Sequence, residues 1–203
     1  MTKEQIFESK FKPTYLTLMQ EFHGQFSVYD VQTIRSAKSI EELYKFTAFK
    51  YRLLFVDLLA QAALNFGLIN VKTFSEMLSD TWTSSENPNS DPNVDTSELN
   101  RLFRLAKKEY LMSEEDKAYF DSLPDEITVY RGINTKYSEK RGLSWTIDKD
   151  RAIWFATRTG KTENSKLYTS KVKKEDIYCY LSDRGESEVV VDIYHIGIEE
   201  IEF

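Results

Sequence analysis

One cysteine, two histidines and four prolines in 203 residues leave little with which to staple, ligate or kink this chain. The lone Cys179 cannot form an intrachain disulfide, so nothing ties the chain to an oxidising compartment. It stands within Ile177-Tyr178-Cys179-Tyr180-Leu181, the setting of a small buried hydrophobe rather than a nucleophile. His23 and His195 have no ligand partner near them in sequence, which argues against a His/Cys zinc site and leaves a carboxylate-held metal open. Basic charge is not in excess either. With 27 Lys+Arg against 33 Asp+Glu, the net charge of −6 disfavours a general binder of nucleic acid or of anionic membranes, though one local basic groove stays open. Long hydrophobic runs are missing: the most apolar segment, 53–68, is interrupted by Asp57, Gln61 and Asn65 and is too short and polar to span a bilayer. The opening Met1-Thr2-Lys3-Glu4-Gln5 lacks the apolar core of a signal peptide, so the expectation is a cytoplasmic protein.

Aromatic residues are plentiful, 13 Phe, 12 Tyr and 3 Trp, and the length suffices for a core without staples. Residues 1–125 read as helical. Tyr15, Leu18, Met19, Phe22 and Phe26 have helical spacing over 14–26. Ser39-Ile40-Glu41-Glu42 reads as a capping box opening a long buried helix to about Phe66, closed by Gly67. Shorter helices are predicted over 72–81, 97–109 and 113–120, with a proline-punctuated loop over 83–93. The composition changes at Leu123-Pro124-Asp125. Beyond it, strands are predicted over 126–132, 142–147, 166–172, 177–181, 188–195 and 198–203, interrupted by one helix over 148–159. The expected class is α+β: a helical region, 1–125, ahead of a β core, 126–203, the two being separate or one continuous domain.

The stretch that organises the chain is Gly185-Glu186-Ser187-Glu188-Val189-Val190-Val191-Asp192-Ile193. Strand alternation would put Glu186, Glu188 and Val190 on one side and Ser187, Val189 and Val191 on the other. Two carboxylates so placed at the mouth of an apolar strand repel each other, and a purely structural strand has no use for that. A second Glu-x-Glu, Glu200-Ile201-Glu202, reads as a solvated strand edge. Upstream, Ile127-Thr128-Val129-Tyr130-Arg131-Gly132 ends a buried stripe on a cation that suits a forked contact with an anionic ligand, although taken in isolation pairing with a local carboxylate is the better reading. In Leu143-Ser144-Trp145-Thr146, two hydroxyls share one strand face, where they serve solubility or orient a carboxylate and a sugar hydroxyl.

Tyr130-Arg131-Gly132, Ser144-Trp145-Thr146 and Glu186-Ser187-Glu188 together resemble the Arg, Ser-x-Ser/Thr and Glu-x-Glu motifs of mono-ADP-ribosyltransferases, the branch of arginine-specific bacterial toxins and phage-encoded modifying enzymes. Phe155 and Arg158 match a Phe-x-x-Arg pattern of that family. The resemblance covers residues 126–203 and implies a small two-sheet core that binds NAD+ as substrate, with no metal. It implies Glu188 as the catalytic carboxylate on the ribose, steered by Ser144, and Glu186 as the residue that aligns or deprotonates an arginine acceptor on a protein. Arg131 and Arg158 would hold phosphates, Phe155 would stack on nicotinamide, and Gly132, Trp145 and Thr146 would complete the cofactor site. Two departures are a bulky Trp145 between the hydroxyls and a short loop, Ser182-Asp183-Arg184-Gly185, without the aromatic often used to recognise the acceptor. The helical region would bind the target or a neutralising antitoxin, or brace the core. Three other readings stay open: an inactive binding or inhibitory module of the same fold, an NAD+ glycohydrolase, and a transferase acting on nucleic acid, which the acidic balance disfavours.

Overall fold

A computed structural model describes residues 1–23 and 27–203. The chain divides into two compact units, residues 1–86 with 92–94, and residues 87–91 with 95–203. The division falls earlier than the compositional change at 123–125, because two helices ahead of that point group with the sheet. Among the described residues no helix is long and apolar enough to cross a membrane.

The first unit is helical. Thr2 closes a capping box on α1 (Lys3–Ile6), which runs through a π-helical turn, Phe7–Phe11, into α2 (Lys12–His23). The helix thus begins well before the predicted residue 14, and Phe26 lies outside the described residues. Phe7, Phe11, Tyr15 and Met19 are buried along it, whereas Phe22 is exposed. A further helix, α3 (Val28–Ser36), starts on the reciprocal Ser27–Asp30 cap. The long helix predicted from residue 40 to 66 is broken: α4 (Ile40–Phe46) stops at Thr47, and α5 (Arg52–Leu58) resumes after a 3₁₀ turn and continues into a π-helical turn, Leu59–Ala63. At the break, the buried Thr47 hydroxyl bonds to Leu43 O at 2.8 Å and to the Tyr15 hydroxyl at 2.8 Å. Ser39 caps α4, but Glu42 returns its bond to Lys38 N rather than to Ser39, so the box is half made. Gly67 ends the stretch at φ 64°, as its lack of a Cβ permits. Phe55, fully buried, sits edge-on to Phe11 and Tyr15 at 6.3 and 5.3 Å. Asn70 caps α6 (Val71–Ser84), which buries Phe74, Leu78 and Trp82.

The second unit carries α7 (Thr96–Leu105), capped by Asp95, and α8 (Glu114–Ser122), capped by Ser113. Then come β1 (Glu126–Asn134), β2 (Ser144–Thr146), α9 (Lys149–Thr157), β3 (Ser165–Lys173), β4 (Ile177–Leu181), β5 (Glu188–Val191) and β6 (Glu199–Ile201). These strands form one antiparallel sheet in the order β4-β5-β2-β1-β3-β6, where the resemblance implied two sheets. The reason is a narrow bridge at the centre: β1 and β2 meet through the pair Tyr130↔Thr146, while β1 and β3 pair over nine positions. One sheet face is the apolar core, with Ile127, Val129, Ile133, Trp145, Tyr168, Val189 and Val191 buried together. Across the other face lies α9. Gly132 makes that approach possible, because a Cβ there would stand 1.6 Å from Ala152 O. The small Ala152 and Ala156 complete the fit, both fully buried.

β5 ends at Val191 rather than running on to 195, because the buried Asp192 turns to bind side chains from α7. Its carboxylate accepts from Arg104 Nη2 at 2.8 Å, Asn100 Nδ2 at 3.3 Å and Tyr194 N at 3.0 Å. Burial alone would raise the Asp192 pKa; these bonds outweigh it and hold the carboxyl below the ordinary 3.8. A lowered acid pKa contributes stability that is complete above the unfolded value and is lost as pH falls through the folded one. The gap in Tm between wild type and Asp192→Asn therefore narrows as pH drops below about 4. A gap that stays constant from neutral pH down to 3 would contradict this account.

Candidate functional site

The site begins at a turn, not a strand. Gly185 has φ 62° and Ser187 has φ 46°, with Glu186 in the right-handed helical region between them. Glu186 and Glu188 therefore do not alternate along one strand as the sequence suggests, since β5 begins only at Glu188. Thr146 holds the turn. Its Oγ1 donates to Glu186 O at 2.7 Å, with Ser187 O at 3.2 Å, and accepts from Asp148 N at 3.1 Å. Ile147 N donates to Ser187 O at 3.2 Å. A non-glycine residue at positive φ stores strain of about 1–3 kcal/mol, found most often where a site dictates the backbone. A β-branched side chain tolerates that conformation worst. Ser187→Val should lower unfolding stability by about 1–2 kcal/mol in denaturant titration, while Ser187→Gly matches or exceeds wild type. Equal stability of all three would show that the turn is not strained.

The β2–β5 register brings the other residues together. Ser144 pairs with Val190, Trp145 with Val189, and Thr146 with Glu188. Paired residues in an antiparallel ladder share a face, so Ser144, Thr146 and Glu188 lie on the face that α9 covers. Trp145 lies on the other. It is 1% exposed and its Nε1 donates to Gly142 O at 2.9 Å. Trp145 is thus a core residue and Gly132 a packing residue beneath α9, which corrects the cofactor contacts expected of both.

Arg131 follows the Val129 stripe, so it lies on Trp145's side of the sheet and not on the face of Ser144, Thr146 and Glu188. This corrects the phosphate contact expected of Arg131, which is buried at 8% exposure. Its Nη1 donates to Ser144 O at 2.7 Å and its Nη2 to Glu139 O at 3.2 Å, so the two arms of the fork grip the first residue of β2 and the β1–β2 connection. Its Nε is buried with no hydrogen-bond partner among the described residues. Gly142 leaves room for the guanidinium, since a Cβ would meet it at 2.7 Å. Asn89 secures the same loop by accepting from Leu143 N at 2.7 Å. Burial pushes the Arg131 pKa down to about 10, against the pull of the Glu188 carboxylate, so it stays cationic at neutral pH.

Helix α9 supplies Phe155, half-buried, and Arg158, exposed at the helix end and 5.8 Å from the Phe155 ring centre. It also supplies two residues that sequence reasoning missed. Arg151 Nη2 lies 3.6 Å from Glu186 Oε1, and Trp154, 48% exposed, packs edge-on to Phe155 at 5.1 Å. The available signal was spacing, because Arg151 stands one helical turn before Phe155. Cys179 is buried, and burial pushes its thiol well above the ordinary range, consistent with an inert residue. The second Glu-x-Glu is on the edge strand β6, where Glu200 pairs with Lys166 at 2.7 Å in solvent. Among the described residues no group of three His, Cys, Asp or Glu is arranged to hold a metal ion. In comparisons with family models, curated proteins and solved structures, none matches this chain.

Proposed function

We propose that the second unit is a mono-ADP-ribosyltransferase core that moves ADP-ribose from NAD+ to an arginine side chain of a protein. The observation that carries this reading is the β2–β5 register, which sets Thr146 opposite Glu188 and Ser144 on the same face. A hydroxyl-bearing strand beside a carboxylate suits a ribose, whose 2′-hydroxyl Glu188 would accept. The thin joint at Tyr130↔Thr146 supports an ADP-ribosyltransferase-like core of two halves, β4-β5-β2 and β1-β3-β6, fused into one sheet. The dinucleotide's anionic phosphates fit the exposed Arg158. The Phe155 ring would receive the nicotinamide.

Breaking the nicotinamide–ribose bond develops positive charge on the sugar, as glycoside hydrolysis does. Glu188 would stabilise that charge most as it grows. Ser144, one strand away, would keep the Glu188 side chain aligned. Glu186 would pair with the acceptor guanidinium, a poor nucleophile while protonated, and take its proton. Thr146 would fix Glu186 through the turn it already holds. The helical first unit is the proposed surface for the target or for a neutralising antitoxin.

The test is incubation with NAD+ labelled in its adenosine half, with agmatine as a soluble guanidine acceptor and separately with cell lysate. The expected result is labelled agmatine and labelled protein, the adduct being released by hydroxylamine. Free ADP-ribose and nicotinamide with no labelled acceptor would replace this reading with an NAD+ glycohydrolase. Nuclease-sensitive label would replace it with a nucleic-acid transferase. No reaction would favour a binding module.

A further inference from the structure

A guanidinium already stands at the carboxylate assigned to the acceptor. Arg151 Nη2 is 3.6 Å from Glu186 Oε1, and both side chains are partly exposed. The Arg151 guanidinium carbon lies 4.7 Å from the Trp154 ring centre and 5.4 Å from that of Phe155. A carboxylate beside aromatic rings is the chemistry by which proteins hold arginine, through charge and the ring quadrupole. Glu186 and Trp154 therefore form a guanidinium site whose occupant is a residue of the same chain. Other arginines near the motifs are placed differently. Both Nη groups of Arg131 are taken by carbonyls, Arg141 donates to Ile193 O, and Arg158 stands over Phe155.

We propose that Arg151 is an acceptor for the protein's own reaction, so that the chain ADP-ribosylates itself there when no foreign guanidine competes. This rests on the transferase reading above. In the step, an Nη of Arg151 bonds to C1′ of the ribose as the C1′–nicotinamide bond breaks. The bonding pair leaves on nicotinamide, which departs neutral, and the guanidinium proton passes to Glu186. The Arg151–Glu186 pair is longer than a hydrogen bond and partly in water, so a substrate arginine can compete for the Glu186 carboxylate. Once modified, Arg151 would carry a bulky anionic group across the acceptor site, and transfer to other guanidines would slow.

The full-length chain is incubated with NAD+ alone and examined by intact mass and peptide mapping, with Glu188→Gln protein alongside. The expected result is one ADP-ribose per chain, released by hydroxylamine, on the peptide containing Arg151, and none on Glu188→Gln protein. Its initial rate per chain should not depend on protein concentration, and prior incubation with NAD+ should lower later agmatine labelling by about tenfold. Labelled agmatine with an unmodified Arg151, an adduct on another residue, or a per-chain rate that rises with protein concentration would overturn the inference and leave the transferase reading standing. If neither agmatine nor the chain is modified, both fall together.

Discussion

Glu188→Gln should lower both nicotinamide release and ADP-ribose transfer by about 10²–10³-fold, with little change in the KM for NAD+. Gln keeps the shape, the strand position and a hydrogen-bond acceptor, so the pair with Thr146 on β2 survives. What it removes is a full negative charge beside a ribose that turns cationic only in the transition state. An interaction felt mainly there shows in kcat, whereas uniform binding shows in KM. The expected loss corresponds to about 3–4 kcal/mol of transition-state stabilisation, within the range for one preorganised electrostatic contact. The Tm should stay within a few degrees of wild type, which separates lost chemistry from lost fold. A raised KM at unchanged kcat would reduce Glu188 to a binding residue. Full activity would remove it from the mechanism.

Gly132→Ala tests the scaffold instead. The added methyl carbon would stand 1.6 Å from Ala152 O, 2.5 Å from Ala152 C and 3.0 Å from Ala156 N. All three are main-chain atoms, so no rotamer change relieves the clash. Either α9 lifts from β1 or the sheet bends, and both expose Ala152 and Ala156. Overpacking in well-filled cores costs about 1–3 kcal/mol where side chains can shift, and more is expected against backbone. Set against a total stability of about 5–15 kcal/mol, this should drop the denaturation midpoint sharply or leave the protein insoluble. Any folded fraction should lose transfer too, because α9 carries Arg151, Phe155 and Arg158. A wild-type midpoint would mean that α9 does not lie on β1 as described.

The parts of this architecture legible in sequence are those set by short-range rules. Ser113 and Asp148 announce helix starts as caps, Gly67 announces a helix end, and β4 appears over its full length as an apolar run bounded by turns. What escaped depends on distant partners. No local signal breaks the helix at Thr47, whose hydroxyl is held by Tyr15 from another helix. Nothing in the sequence near Asp192 reveals that Arg104 and Asn100 would end β5 there. The Glu186/Glu188 pair is visible as a motif, yet its geometry is not. Strand alternation was the natural reading, and it fails because Ser187 takes a positive φ under the grip of Thr146, 41 positions earlier. Arg131 is similar: the stripe that buries it reads directly from alternation, but one of its carbonyl partners, Glu139 O, lies in a loop whose path no pattern encodes.

The central claim, that the face carrying Ser144, Thr146 and Glu188 receives NAD+, is tested most directly by a crystal structure of the Glu188→Gln protein soaked with NAD+. The expected density places the nicotinamide ribose within hydrogen-bond reach of residue 188, the ring against Phe155 and the phosphates toward Arg158. A dinucleotide bound elsewhere, or none at millimolar concentration with this face open to solvent in the lattice, would contradict it.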